Sequence, residues 1–396
     1  MKPLSGLRIL SIEQFGAAPY GSMFLADMGA ELIKVENQAS GGDPSRHTGP
    51  CLLGEADSLY FQTWNTNKRS VTLDLKAPAG RAAFERLVSG ADGLINNLRG
   101  DLPAQLGLDY PSLRHLRPAL VCLHISAYGR DNSRASWPGY DFLMQAEAGL
   151  MHLTGDPEGS PARFGPSIID YMTGVTAIVG LLGALHRARE TGQGCDVDTC
   201  LFDVALHQLG YAATWHLNAG LDSRRLARSA HFGIGPVQTY PSADGWLFVM
   251  CMTDKFWDAL LSALGRDDLK ADPRFATRHS RAVHRDALTP VLDAEFRRHG
   301  TRYWLDKLGN TVPVAPVYDL QQALANPFVA EAGMLSRVPH PLLPEMQMLA
   351  NPLRFDGERP QQAPCAPLGA DNTALLGEAP APAGRRAADA EPAAAL

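Results

Sequence analysis

Residues 7–35 read LRILSIEQFGAAPYGSMFLADMGAELIKV. The run from Leu7 to Ile12 is short and apolar, as a buried strand is. An apolar stretch from about Pro19 to Met28 has helical length and closes at Gly29, and Glu31 to Val35 reads as a second strand. Strand, helix and strand within about thirty residues make a βαβ unit, which implies a parallel sheet with a right-handed crossover. The turn between the first strand and the helix, EQFGAAPYG, carries Gly16 and Gly21 but not GxGxxG spacing. A nicotinamide- or flavin-binding Rossmann enzyme is therefore disfavoured.

Ser70–Leu75, Gly93–Asn97 and Ala119–Ile125 read as further strands, alternating with helical segments such as Pro78 to Ser89. This alternation predicts an open, mostly parallel Rossmann-like α/β sheet through roughly residue 130. A helical stretch is expected around Tyr140 to Thr154, and a long helix from about Tyr171 to Glu190, ended by glycine. Val197–Leu201 reads as a strand feeding a helix to about Leu217. Residues 225–310 are expected to form a smaller α+β domain, with a strand after Asp244-Gly245 and helices near 254–264 and 280–307. Val312 to Tyr318 reads as the return, so that 1–215 and 311–377 make the large domain. From Glu378 the Ala/Pro-rich tail, 378–396, is predicted to be disordered.

A chain of 396 residues with 45% hydrophobic and 20% charged residues is globular and long enough for two cores. Its net charge of -6, without a Lys/Arg block, argues against a nucleic-acid or membrane-surface partner. Six scattered cysteines without CxxC point to reduced thiols in the cytoplasm. The N-terminus passes into a strand pattern without a signal-like apolar region. The most apolar run, Val175 to Leu185, is about half a membrane span. Neither HExxH nor a His/Cys cluster occurs, nor GxSxG or a Walker loop, so neither a metal nor a tightly bound cofactor is expected.

Asp170 lies at the start of the long apolar helix, where four backbone N–H groups lack helical partners. Position alone allows two roles. It can be an N-cap, or a carboxylate kept ionised by the helix start and able to attack an activated carbonyl.

Several motifs, in order, carry a resemblance. They are the opening βαβ unit through Glu36, Gly42-Asp43-Pro-Ser-Arg46, and Asn65-Thr-Asn67-Lys68-Arg69-Ser70 with Leu73-Asp74-Leu75-Lys76. Asn97-Leu98-Arg99, Gly139-Tyr140-Asp141 with Gln145-Ala146 and Gly149, and Ser-Ile-Ile-Asp170-Tyr-Met-Thr-Gly follow. Gly235-Pro236, Asp244-Gly245-Trp246, Asp272-Pro-Arg-Phe275 and Val314-Ala-Pro316 continue the series. Over roughly residues 3–357 the chain resembles the class III CoA-transferase family, the formyl-CoA transferase and carnitine CoA-transferase group.

The resemblance implies two interlocked ring-shaped subunits, and acyl-CoA and carboxylic acids as substrates. It makes Asp170 the nucleophile, passing through an aspartyl mixed anhydride and an aspartyl-CoA thioester. By the same likeness coenzyme A would lie along Gly16, Ala17, Leu73, Asp74, Leu75, Lys76, Asn97, Leu98, Arg99, Gln105 and Leu106, with Asn37, Tyr140 and Asp141 nearby. Backbone N–H groups at Gly233 and Gly235 would serve a developing oxyanion. Succinyl-CoA or another small dicarboxyl-CoA is the expected donor. The chain departs from the family in Gly16, where glutamine is frequent, and in Asn37, where arginine is. Two rival readings stand beside it: an α-methylacyl-CoA racemase, which shares the fold and whose catalytic histidine falls where this chain has Tyr140, and a non-catalytic CoA-binding subunit or regulatory protein. Tyrosine is a poor base at neutral pH.

Overall fold

The computed structural model describes residues 1–377, and the tail expected to be disordered lies outside them. Six parallel strands form the large sheet: β1 (Arg8–Ile12), β2 (Glu31–Glu36), β3 (Arg69–Thr72), β4 (Gly93–Asn96), β5 (Val121–Ser126) and β6 (Cys195–Cys200). Their order is β3-β2-β1-β4-β5-β6. The chain leaves β1 toward one edge and comes back to pair β4 on the other side of β1. The connections after these two strands diverge, which opens a crevice at their C-terminal ends.

Helices cover both faces. α1 (Ala17–Asp27) packs on one face and α2 (Pro78–Ser89) on the other. α3 (Asp141–Glu147), α4 (Ile168–Thr191) and α5 (Leu201–His207) complete the α1 side. Ile9, Leu25, Leu123 and Leu181 are fully buried there, and Leu10, Ile33, Leu94 and Phe84 on the α2 side. Each such side chain stabilises the fold by about 1.5–3 kcal/mol. The helical stretch expected over Tyr140–Thr154 is split, because Gly149 takes a left-handed φ of 85° between α3 and Leu150–Leu153.

α4 starts earlier than expected and has 24 residues, with a mean hydropathy of 1.7 over its most apolar window. By length and composition it is enough to cross a membrane, although its uninterrupted apolar run is short. Ile169, Ala177, Ile178, Leu181 and Leu185 bury one face of it in the core shared with α1 and β5. The two helices meet backbone to backbone: a Cβ on Gly21 would lie 2.5 Å from the Gly174 carbonyl oxygen. Gly183 has open space at the same position, so it makes no such approach.

The smaller unit is an antiparallel sheet of β7 (Val237–Pro241), β8 (Trp246–Met250) and β9 (Val314–Pro316). α6 (Asp254–Leu264), α7 (Arg285–Phe296) and α8 (Thr301–Leu308) pack on it around Tyr240, Leu247, Trp257, Phe296 and Trp304. The helical segments expected near 280–307 are three helices, with breaks at His284 and at Gly300, whose backbone is extended. Val314–Pro316, expected to begin the return, is instead the edge strand of this sheet, since Val249 pairs with Val314. The return comes later. Asp371 accepts from Arg69 and from the Ser70 N–H, and Asn372 bonds Thr72, which covers the outer edge of β3.

Candidate active site

The segments that follow β1, β4 and β5 converge at the crevice and enclose a cavity of about 420 Å³. Gln14 to Ala17, Asn97 to Arg99 and Ser126–Ala127 form three of its walls, and Trp137 to Tyr140 and Asp170 complete it.

Asp170 sits in the first turn of α4, three residues after the N-cap Ser167, rather than just before the helix. It does not cap the helix. The carboxylate of Asp141, buried at the start of α3, does so from outside: its Oδ2 accepts from the N–H of Ile169 at 2.6 Å and of Asp170 at 3.0 Å. Gln145 holds the other Asp141 oxygen at 2.5 Å, and the Phe164 N–H donates to Gln145 Oε1 at 2.9 Å. The donors that would have served Asp170 are thus committed, and among the described residues its own carboxylate has no hydrogen-bond partner.

Burial first, and then the negative charge of Asp141, push the Asp170 carboxyl from the ordinary 3.8 up to about 7. This opposes the expectation that the helix start would keep it well ionised. The favourable end of the helix dipole is matched to Asp141 instead. A carboxylate that binds its proton more tightly is also, once ionised, the more basic nucleophile.

The neighbouring turn is shaped around this group. A Cβ on Gly16 would lie 2.3 Å from Asp170 Oδ2, so with the Asp170 carboxylate in this position only glycine fits beside it. Phe15 before it has φ of 57°, a left-handed conformation that costs a bulky residue about 1–3 kcal/mol. A buried ionic network underlies the turn. Lys34 pairs with Asp43 at 2.8 Å, Lys68 with Glu13 at 2.8 Å, and Arg46 with Glu36 at 2.8 Å. Removing one partner of such a pair leaves a buried charge uncompensated. Burial lowers Lys68 to about 8 despite Glu13.

Of the residues expected at the site, the structure brings Gly16, Ala17, Asn97, Leu98, Arg99 and Tyr140 to the cavity with Asp170. Others stand outside its walls. Asn37 is exposed, and its side chain caps a short turn through the Ala39 N–H. Leu73 is buried in the core on the α2 side, with Leu75 and Leu106 packed against it. Asp74 bonds the Lys76 N–H, and both are exposed, as is Gln105. Asp141 lies beneath Asp170 as its brace. Gly233 faces open space, whereas Gly235 packs on the backbone of Arg281 and Ala282 and gives its carbonyl to Arg281.

Sequence reasoning missed Phe15, Ser126 and Trp137 on the walls. It also missed Tyr60, whose hydroxyl is raised by burial and then by the charge of Asp170. Tyr20 and Tyr171 pack 4.5 Å apart beside it. Nothing in a local window marks these residues, although the aromatic next to Gly16 in the first turn was visible.

A family model described as CoA-transferase family III matches residues 4–372. The chain is 34% identical over 372 residues to a succinate–glutarate CoA-transferase of Agrobacterium fabrum, covering 91% of this chain and 92% of that one. It is 32% identical to an acetyl-CoA:oxalate CoA-transferase of Acetobacter aceti, covering 96% of both. Among solved structures, a CAIB/BAIF family protein of Brucella suis superposes with a TM-score of 0.81 at 32% identity, covering 94% of this chain and 98% of that one.

Proposed function

Because the chain belongs to CoA-transferase family III and is an enzyme of that kind, we propose that it carries CoA between carboxylic acids on Asp170. The observation that carries this proposal is a carboxylate relieved of capping, pushed up to about 7, and open to a cavity at the switch point of the sheet.

The steps balance without water. An Asp170 oxygen attacks the thioester carbonyl of the donor, the C–S bond breaks, and CoA leaves as thiolate from a mixed anhydride. The thiolate attacks the Asp170 carbonyl carbon, releasing the donor acid as its carboxylate and leaving an aspartyl-CoA thioester. The acceptor carboxylate then displaces the thiolate to form a second anhydride. Thiolate attack on the acceptor carbonyl releases the new acyl-CoA and restores Asp170. Each exchange passes through a tetrahedral oxyanion that needs donors. Gly233 and Gly235 lie outside the cavity, while Ala17, the first residue of α1, lines it beside Gly16, and its N–H is the donor we propose instead. CoA would run along Gly16, Ala17, Leu98 and Arg99.

The names of the two relatives give succinate, glutarate and oxalate, all dicarboxylates, together with acetyl-CoA in the second. A small dicarboxylate pair, with succinyl-CoA as donor, is the substrate class we propose. We also read the chain as a cytoplasmic, interlocked homodimer. The outer face of α4 exposes Val175 and Val179, at 40% and 68%, as a surface for a second copy, and the six cysteines of the chain are all free thiols.

Mass spectrometry of the enzyme after succinyl-CoA and hydroxylamine tests the covalent route. The expected product is a hydroxamate on Asp170 and on no other carboxylate. Undiminished exchange between acids in a folded Asp170→Asn variant would refute it.

A further inference from the structure

We propose that the side chain of Asn97 is a positioning element for the Asp170 reaction. It acts through the backbone of the turn from Glu13 to Gly16. The inference rests on Asp170 being the nucleophile of that site.

The regular pairing of β1 with β4 ends at Ile12 and Asn96. Beyond that point the Asn97 side chain takes over the work of a strand. Its Oδ1 accepts from the Gln14 N–H at 2.9 Å, and its Nδ2 donates to the Gln14 carbonyl at 2.7 Å. Both ends of one side-chain amide are thus spent on a single residue of the opposite segment, as in a β-bridge. The Asn97 N–H meanwhile reaches the Ile12 carbonyl at 3.4 Å.

The peptide groups on either side of Gln14 are held from the other flank. Lys34 on β2 donates to the Glu13 carbonyl at 2.9 Å, and Asp43 accepts from the Phe15 N–H at 3.3 Å. Three side chains from three segments therefore fix three successive residues. The next link in the chain is the strained one: Phe15 at φ of 57°, followed by Gly16 against Asp170 Oδ2. A left-handed phenylalanine persists only where its surroundings over-determine it. Releasing Gln14 removes one of the three anchors and lets Phe15 relax, which moves Gly16 and the first turn of α1 relative to the nucleophile.

A CoA contact and a positioning residue leave different kinetic marks. Losing a contact made equally in ground and transition states raises KM and spares kcat, whereas losing alignment at the reacting atoms lowers kcat. The test uses full-length Asn97→Ala and Asn97→Asp, with initial rates against acyl-CoA and titration calorimetry against free CoA. Asn97→Asp keeps the acceptor for the Gln14 N–H and sets a carboxylate oxygen against the Gln14 carbonyl. Should Asn97→Ala not fold, this isosteric variant carries the test alone. Both variants are expected to lose about 10- to 100-fold in kcat, with a smaller loss of CoA affinity and hydroxylamine trapping at Asp170 slowed in proportion to kcat. A rise in KM and a weakening of CoA binding with kcat intact, or no change in either constant, overturns the proposal. Activity surviving in Asp170→Asn would instead overturn the nucleophile assignment, whatever the Asn97 variants do.

Discussion

Replacing Asp170 by asparagine should stabilise the protein while abolishing turnover, and the gain should depend on pH in a direction set by the site. The folded carboxyl binds its proton at about 7 against an ordinary 3.8. The native state therefore holds the proton through a range in which the unfolded chain has lost it. Stability falls as pH rises from about 4 through about 7, then levels off, with the native state carrying the full penalty of a buried carboxylate beside Asp141. At about 1.4 kcal/mol per pH unit the whole penalty is about 4 kcal/mol, an upper value because the site relaxes around the charge. Of this, about 2–3 kcal/mol develops between pH 5 and pH 8. Asparagine has the same shape, fits the gap beside Gly16 and does not ionise. Urea unfolding of both proteins at pH 5, 6, 7 and 8 should show the variant's advantage widening with pH. An advantage that is constant with pH, or that shrinks toward pH 8, would refute the electrostatic reasoning even if the variant were inactive.

The same carboxyl should govern the acid limb of the rate profile. With the proposed nucleophile at about 7, kcat/KM for acyl-CoA should be half-maximal near pH 7 and fall about tenfold per pH unit below it. Asp141→Asn, by removing the second cause of the raised value, should move that midpoint toward lower pH; a midpoint that stays put or rises contradicts the pairing. Gly16→Ala places a Cβ where the Asp170 carboxylate now stands, 2.3 Å from Oδ2. It should lower kcat by about 100-fold or more with near-native unfolding behaviour, and a variant of full activity would show that the close approach is not maintained during turnover.

The fold was legible where one element follows from its own residues. The opening βαβ unit was readable because Leu7–Ile12, the helix after Pro19 and Glu31–Val35 each bury an apolar run, and β1, α1 and β2 are observed there. What failed was decided by single backbone positions or by partners distant in sequence. Gly149 interrupts a helical stretch that looked continuous. Val314–Pro316 belongs with β8 because Val249 lies opposite it, 65 residues earlier in the chain. Several motifs that suggested the chemistry turn out to hold the frame. Lys68 and Ser70 bond Glu13 and Glu36, and Arg46 grips Glu36 through both Nε and Nη2. A motif of charged residues near a site is therefore compatible with those residues never touching the substrate, and only the three-dimensional partners separate the two cases.

The same distinction explains why Asp170 could not be assigned from position. An acidic residue in the first turn of a helix is ordinarily satisfied by the N–H groups beside it, and such a residue, already hydrogen-bonded and well ionised, is a weak nucleophile. For it to become reactive, something else must take those donors. Asp141 does so across 28 and 29 positions of sequence, and Gln145 keeps it in place. The arrangement costs the fold twice, in burying a second carboxylate and in setting two like charges together. A purely structural cap would require neither, since one residue would do. That two carboxylates serve one helix end, the inner one bonded and the outer one left facing a cavity, is the asymmetry expected when one of them is reserved for chemistry.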